Sequence, residues 1–264
     1  MKIMTEDITI VPVGNYFRIH RAGSILGSIE YTVVSDDRDP IPFEAALHWA
    51  RIQGEGFELI SAPELIALRL AVAPEAPERS DRYCSAWLQH ITRSAGIHFF
   101  KNDVPYLAAV HSTDPTVNGL LRYPGELRAL NFLLSKDEKF IKSGIEWAAD
   151  HGTITRIPTY EETEIRPSTA YDPILSVVGK QQGLDLGSEY GAHLETKFAC
   201  KTLRFGVDPD RYLREIKLLG EHSALIGPIS LGGNKLGHYN SERVNTNTCL
   251  SEPDYFARAT RRTA

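Results

Sequence analysis

Residues 57–64, Phe57-Glu58-Leu59-Ile60-Ser61-Ala62-Pro63-Glu64, pass from an extended run straight into a helix start. The first four read as a short strand or an extended entry. Ser61 and Glu64 then form a capping box, in which the Ser61 hydroxyl accepts from the Glu64 amide while the Glu64 side chain reaches back. Leu65, Leu68 and Val72 line one face of the helix that follows. Elsewhere in the chain strands and helices do not alternate regularly enough for a doubly wound sheet. The expected fold class is therefore α+β, with antiparallel strands at the N-terminus and a helix–strand–helix region towards the C-terminus.

Upstream of this stretch, Ile8-Thr9-Ile10-Val11 and Tyr16-Phe17-Arg18-Ile19 flank the turn signal Gly14-Asn15, and Ile29 to Val34 is richer still in strand formers. Pro12 marks the first run as an edge strand or a bulge. Phe43, Ala46, Leu47 and Ala50 keep helical spacing up to Gly54 and Gly56.

Downstream, the pattern predicts a helix over Arg82 to Ser94 closed by Gly96, and an extended segment from Ile97 to Val110. A second capping box at Ser135–Glu138 opens a helix carrying Phe140, Ile141, Ile145 and Ala148, and Thr153 to Ile157 follows as a strand. Glu161 to Ser168 is polar and contains Pro167. It is the candidate boundary between an N-terminal α+β domain, 1–160, and a C-terminal α/β region, 161–264, although one domain could hold both. Beyond it the reading is a helix from Tyr171 to Gln182, a strand from His193 to Phe205, a helix starting at Asp208-Pro209, a strand over Leu225–Ile229, and an irregular tail from Gly232. Such a tail frays unless the body or a neighbouring subunit holds it.

Bulk properties narrow the function classes. The chain has 264 residues, 42% hydrophobic and 24% charged, which is enough to bury a core without metals or disulfides. Its formal net charge of -5 lacks the basic balance of a non-specific nucleic-acid binder. The basic cluster Arg258, Arg261 and Arg262 reads as a solvated terminus. Cys84, Cys200 and Cys249 lie far apart with no CxxC pair, which excludes a zinc ribbon and fits reduced thiols in a cytoplasmic protein. No apolar run of about 18 residues occurs, so a soluble protein without membrane contact is expected.

One constellation points to chemistry. With His193–Phe205 as a strand, Glu195 and Lys197 share a face, and a preceding hairpin strand would bring Asp185 alongside. Two carboxylates can hold Mg²⁺ through oxygen ligands, and the metal with a lysine can activate water for attack on phosphorus. Asp185 and Glu195-Thr196-Lys197 resemble the PD-(D/E)xK nuclease signature. That resemblance implies Asp185 and Glu195 as metal ligands and Lys197 as the residue orienting the nucleophile. The family's supporting Glu on the preceding helix is missing between Tyr171 and Gln182, and acid-x-Lys also occurs at Asp137–Lys139 and Glu215–Lys217.

Other motifs are bland. His151-Gly152-Thr153 is similar to a tripeptide of some ADP-ribosyl-transfer folds, yet a helix C-terminus accounts for all three residues. Gly227 to Lys235 does not match a phosphate loop, and there is no HExxH among nine histidines. His48, His90 and His98 fall in or beside apolar elements. Phe43 to Leu68 resembles the opening of formylglycine-enzyme and C-type-lectin-like modules, where a helix precedes Gly-x-x-Leu-x-Thr-x-x-Glu-Trp. Here the segment is Gly56-Phe57-Glu58-Leu59-Ile60-Ser61-Ala62-Pro63-Glu64-Leu65, with Leu65 in the tryptophan's place. The later Asn-Gly-x-Val-Trp-Glu-Trp segment is absent, and the capping box carries most of the likeness.

Two readings follow. The first is a non-catalytic binding or assembly protein, a subunit of a larger particle, without cofactor and with a protein partner or self-association. The second is a Mg²⁺-dependent nuclease acting on nucleic acid through Asp185, Glu195 and Lys197.

Overall fold

A computed structural model of the chain describes residues 8–13, 16–21, 28–31, 43–72, 89–112, 133–135, 138–158, 172–181, 183–198, 203–205, 224–233, 242–245 and 256–262. The α+β class holds, built from antiparallel sheets with helices packed on them. The expected helix at Asp208-Pro209 lies outside the described residues.

The N-terminal hairpin is as the turn signal predicts. β1 (Ile8–Val13) pairs antiparallel with β2 (Tyr16–Arg21), with Val13 opposite Tyr16, and Gly14-Asn15 itself lies outside the described residues. β1 is the edge of its sheet, the position where Pro12 removes no ladder bond. β3 (Ser28–Tyr31) adds to β2. Helix α1 (Phe43–Ile52) buries Phe43, Ala46 and Ala50, and the chain turns through Gly54 and Gly56 into β4 (Glu58–Leu59). Gly56 sits at φ 76°, a left-handed value that disfavours any side chain.

The expected irregular tail is corrected. β13 (Glu242–Asn245) and β14 (Ala259–Arg262) are strands, and β14 lies between β3 and β4 in the five-stranded sheet β1-β2-β3-β14-β4. Ala257 and Ala259 are buried in the core, so the tail is held by ordinary burial. Arg258 is 1% exposed and Arg261 lies 4.8 Å over the Phe57 ring, so neither belongs to a solvated basic end.

The expected helix over Arg82–Ser94 is corrected as well. Residues 82–88 lie outside the described residues, and 90–94 open a twelve-residue strand, β5 (His90–Lys101). Every residue from His90 to His98 is buried, and a strand buried on both faces loses the alternation that separates it from a helix in the sequence. β5 turns at Asn102-Asp103, both at positive φ (52° and 60°), into β6 (Val104–Val110). These are the dihedrals of a two-residue hairpin turn.

β12 (Ala224–Gly233) lies on the other edge of β5. The register shifts between Pro228 and Ser230, a bulge that accommodates a proline in an inner strand. β11 (Leu203–Phe205), β13, β12, β5, β6 and β8 (Ile154–Arg156) run in that order, and β7 (Leu133–Ser135) also pairs with β12. Strands from both sides of residue 160 thus share both large sheets.

Helix α2 (Ala62–Val72) follows the Ser61–Glu64 box, and α3 (Glu138–Asp150) covers β6. The expected helix from Tyr171 to Gln182 is shorter. α4 (Pro173–Val178) starts at the Asp172 cap and stops at Gly179, and β9 (Lys180–Gln181) then pairs with β10 (Leu184–Asp185). The expected strand from His193 is corrected to α5 (Leu186–Phe198), whose Leu186, Tyr190, His193 and Leu194 are buried at helical spacing.

One apolar core joins α1, α3, β14 and the long strands through Phe43, Phe57, Leu59, Ile91, Ile97, Val110, Ile141 and Ile226. The segment 256–262 ties the two sheets together. The Ile91 amide donates to the Phe256 carbonyl, Ile60 to Arg258, and Arg93 to Ile60.

Candidate functional site

The nuclease-like trio is not brought together. Asp185 is the cap of α5: its carboxylate accepts from the Ser188 amide at 2.9 Å and from the Ser188 and Ser176 hydroxyls at 2.7 Å each. Glu195 lies ten residues further along the same helix, about 15 Å at the helical rise. Oxygens that share one cation must each come within about 2.0–2.6 Å of it. Lys197 is also on α5, and positions two apart on a helix do not face each other. Among the described residues no group of three His, Cys, Asp or Glu side chains is placed to hold a metal ion.

The polar constellation that the fold does assemble lies inside, at the end of the stretch that opened the reading. Glu64 is 3% exposed and Arg93 is 9% exposed. The Glu64 carboxylate accepts from the Ser61 amide and hydroxyl at 2.8 Å each, from the Thr260 hydroxyl at 3.2 Å, and from Arg93 Nη2 at 3.3 Å. Arg93 Nε also lies 3.7 Å from Glu58 at the protein's edge. A single carboxylate thereby joins α2, β5 and β14, and it satisfies a buried guanidinium that would otherwise be expensive to hold.

Beside it, Ser94 and His111 form a second linked pair. His111 Nε2 is 3.1 Å from the Val177 carbonyl, which can only accept, so Nε2 carries the proton. Nδ1 is then the acceptor, and the Ser94 hydroxyl 2.9 Å away is its donor. The Ser94 oxygen in turn accepts from the Ala62 amide at 2.9 Å. Burial is the main reason the imidazole titrates at about 4 rather than 6.5, with Arg93 and His151 adding in the same direction and the Val177 bond and Glu64 opposing. The ring is therefore neutral at physiological pH.

A serine donating to a histidine has the outline of a nucleophile and base, but Ser94 is fully buried and both groups have their bonding filled. The arrangement fixes neighbouring elements to one another. Arg69, also fully buried, does the same elsewhere: Nη1 meets the Tyr190 hydroxyl at 3.0 Å and Nη2 the Leu231 carbonyl at 3.0 Å, tying α2 to α5 and β12.

The reading of His151-Gly152-Thr153 as a helix end holds. The Gly152 amide donates to the Ala149 carbonyl, Gly152 takes φ 62°, and the His151 ring stacks on Trp147 at 3.9 Å between centroids. His90 and His98 are buried, as their apolar surroundings predict, and His48 is exposed on α1.

With this geometry in view, the chain belongs by architecture to the C-type lectin fold. The likeness is to a solved structure described as "Accommodation of massive sequence variation in Nanoarchaeota by the C-type lectin fold". The two superpose with a TM-score of 0.51 at 14% identity, over 88% of this chain and 94% of that one. No family model matches the chain. No curated protein matches it either.

Proposed function

We propose that the chain is a non-catalytic binding protein, in which a C-type lectin fold serves as a rigid body for recognising a protein partner or a second copy. The observation that supports this most is the closed polar interior. Glu64, Arg93, Ser94 and His111 are spent on holding α2, α4, β5, β6 and β14 in place, and Ser94 offers no open face to a substrate. The described structure relative is associated in its description with massive sequence variation on this fold. A framework whose Glu64, Ser94 and His111 groups are bonded internally leaves surface positions to vary without disturbing it. The nuclease reading draws no support from the helix that carries both Glu195 and Lys197.

The experiment pairs a turnover assay with hydrodynamics on the full chain. Single- and double-stranded DNA and RNA are incubated with Mg²⁺ or Mn²⁺, and sedimentation velocity is run over a hundredfold range of protein concentration. The reading expects no cleavage, and a sedimentation coefficient that rises with concentration if the partner is a second copy. Metal-dependent cleavage that Glu195→Ala abolishes in a folded protein would overturn it.

A further inference from the structure

The Val177 carbonyl that receives the His111 proton belongs to α4, whereas the Ser94 and Ala62 groups behind the ring belong to β5 and to the start of α2. The imidazole is thus a rivet through an interface: its Nε2 holds a six-residue helix, and its Nδ1 leans on the body. Trp147 of α3 closes the pocket edge-on, 6.2 Å from the ring. Among the described polar bonds to side chains, this is the one by which the body grips the α4 backbone.

The rivet fits one protonation state. A proton on Nδ1 would turn that atom from acceptor to donor, facing a hydroxyl oxygen that already accepts from Ala62. The serine proton would have to leave its only described acceptor. The new charge would also lie among groups whose charges are already matched. Arg93 reaches the His111 carbonyl at 3.5 Å, and Glu64 is committed to Arg93, Ser61 and Thr260. Just past α3 the facing titratable group is His151, stacked on Trp147. No carboxylate on α4 turns towards the ring, because Asp172 accepts from the Ile174 and Leu175 amides at the far end of that helix.

We propose that His111 is an acid-released latch, which holds α4 against the seven-stranded sheet and lets go when the ring takes up a proton. α5 is held to α2 and β12 by Arg69 through Tyr190 and Leu231, so α4 parts from it where Gly179 and Gly187 bring the two backbones together.

Hydrogen exchange on the full chain tests this, with rates corrected for the intrinsic pH dependence of exchange. The reporters are the Ser176 and Gly179 amides, bonded to the Asp172 and Leu175 carbonyls, and the Ile97 and Ala109 amides serve as body controls. A ring that titrates at about 4 when latched and near 6.5 when released weakens α4 protection by about a hundredfold between those two pH values, and at each pH α4 opens more readily than the controls, which exchange only through global unfolding. In His111→Gln, which has no ring to protonate, α4 protection should not vary over that interval. If that variant does not fold, the wild-type His111 ring proton is followed by NMR, and the loss of α4 protection must begin near 6.5 and level off at the pH where that ring titrates. Equal protection at reporters and controls, α4 protection that does not change between those two pH values, or a protonated ring with α4 still protected would each overturn the latch.

Discussion

The Glu64 carboxylate is the point where local and distant parts of the chain meet, and its removal makes the sharpest test of the architecture. It accepts bonds from Ser61, Thr260 and Arg93, and the two charged side chains are only 3% and 9% exposed. Glu64→Ala strands a guanidinium in a protein interior, which typically costs about 3–5 kcal/mol. It also removes the capping box, a further contribution of about 1 kcal/mol. These overlap, so the expected loss is about 4–5 kcal/mol. A protein of ordinary stability, about 5–15 kcal/mol, would be left marginal or unfolded. Glu64→Gln keeps the shape and an acceptor for Ser61 but gives up the charge opposite Arg93, and about 2 kcal/mol is expected. Equilibrium urea unfolding, followed by tryptophan fluorescence and by far-ultraviolet circular dichroism, reads both. The double variant Glu64→Leu with Arg93→Met separates the terms. It removes both charges and should recover about 3 kcal/mol relative to Glu64→Ala, leaving the cost of the orphaned Ser61 and Thr260 donors. A Glu64→Ala loss below about 1 kcal/mol, or a double variant no better than the sum of its singles, would refute the view that this pair is desolvated and coupled.

Further tests use other parts of the fold. Stability should fall as the pH drops from about 6.5 towards 4, because the unfolded chain protonates His111 before the folded one does; the full stabilisation is present above 6.5, and the total loss is about 3 kcal/mol by pH 4, read from urea midpoints across the range. Burial raises the Asp172 carboxyl above 3.8, so that group's contribution has the opposite slope, weakening the fold as pH rises through its own titration; Asp172→Asn should steepen the acid loss. Gly187→Ala would drive a Cβ onto the Leu175 carbonyl oxygen, and the helix pair must separate, a loss of about 3 kcal/mol in thermal or urea unfolding. Asp185→Ala should lower stability by about 1 kcal/mol through the lost α5 cap, with Asp185→Asn recovering most of it, a pattern that a metal ligand would not show.

Where a side chain acts on its own neighbours, the sequence was readable. The β1–β2 pairing that flanks the Gly14-Asn15 signal, the helix ending at His151-Gly152 and the Ser61–Glu64 box are local contacts, and each is present as expected. The errors fall where burial replaces local pattern. β5 is buried on both faces and carries no alternation, so its first half passes for the end of a helix. α5 is a helix where Glu195-Thr196-Lys197 suggests a strand; the signals for the helix are the cap formed by Asp185 three residues before Ser188 and the spacing of Leu186, Tyr190 and Leu194. The likeness of Phe43–Leu68 to the opening of C-type-lectin-like modules is local: Leu65 stands in place of tryptophan, the later segment is missing, and the capping box carries most of the match, so the sequence does not define that fold.

The interior constellation was illegible for a different reason. Glu64 is in a motif with a complete local explanation, and nothing in that motif announces Arg93, 29 residues on, or Thr260, 196 residues on. A cap of ordinary helix chemistry has become the junction of the first and last parts of the chain. This has a direct structural consequence for the two-part division drawn at Glu161–Ser168. Removing the chain after Gly232 would take away β14, the Thr260 donor and the Arg258 carbonyl that receives the Ile60 amide, and would open the five-stranded sheet between β3 and β4. Self-association must therefore be tested on the full chain by dilution, since a shortened one would report the loss of the fold.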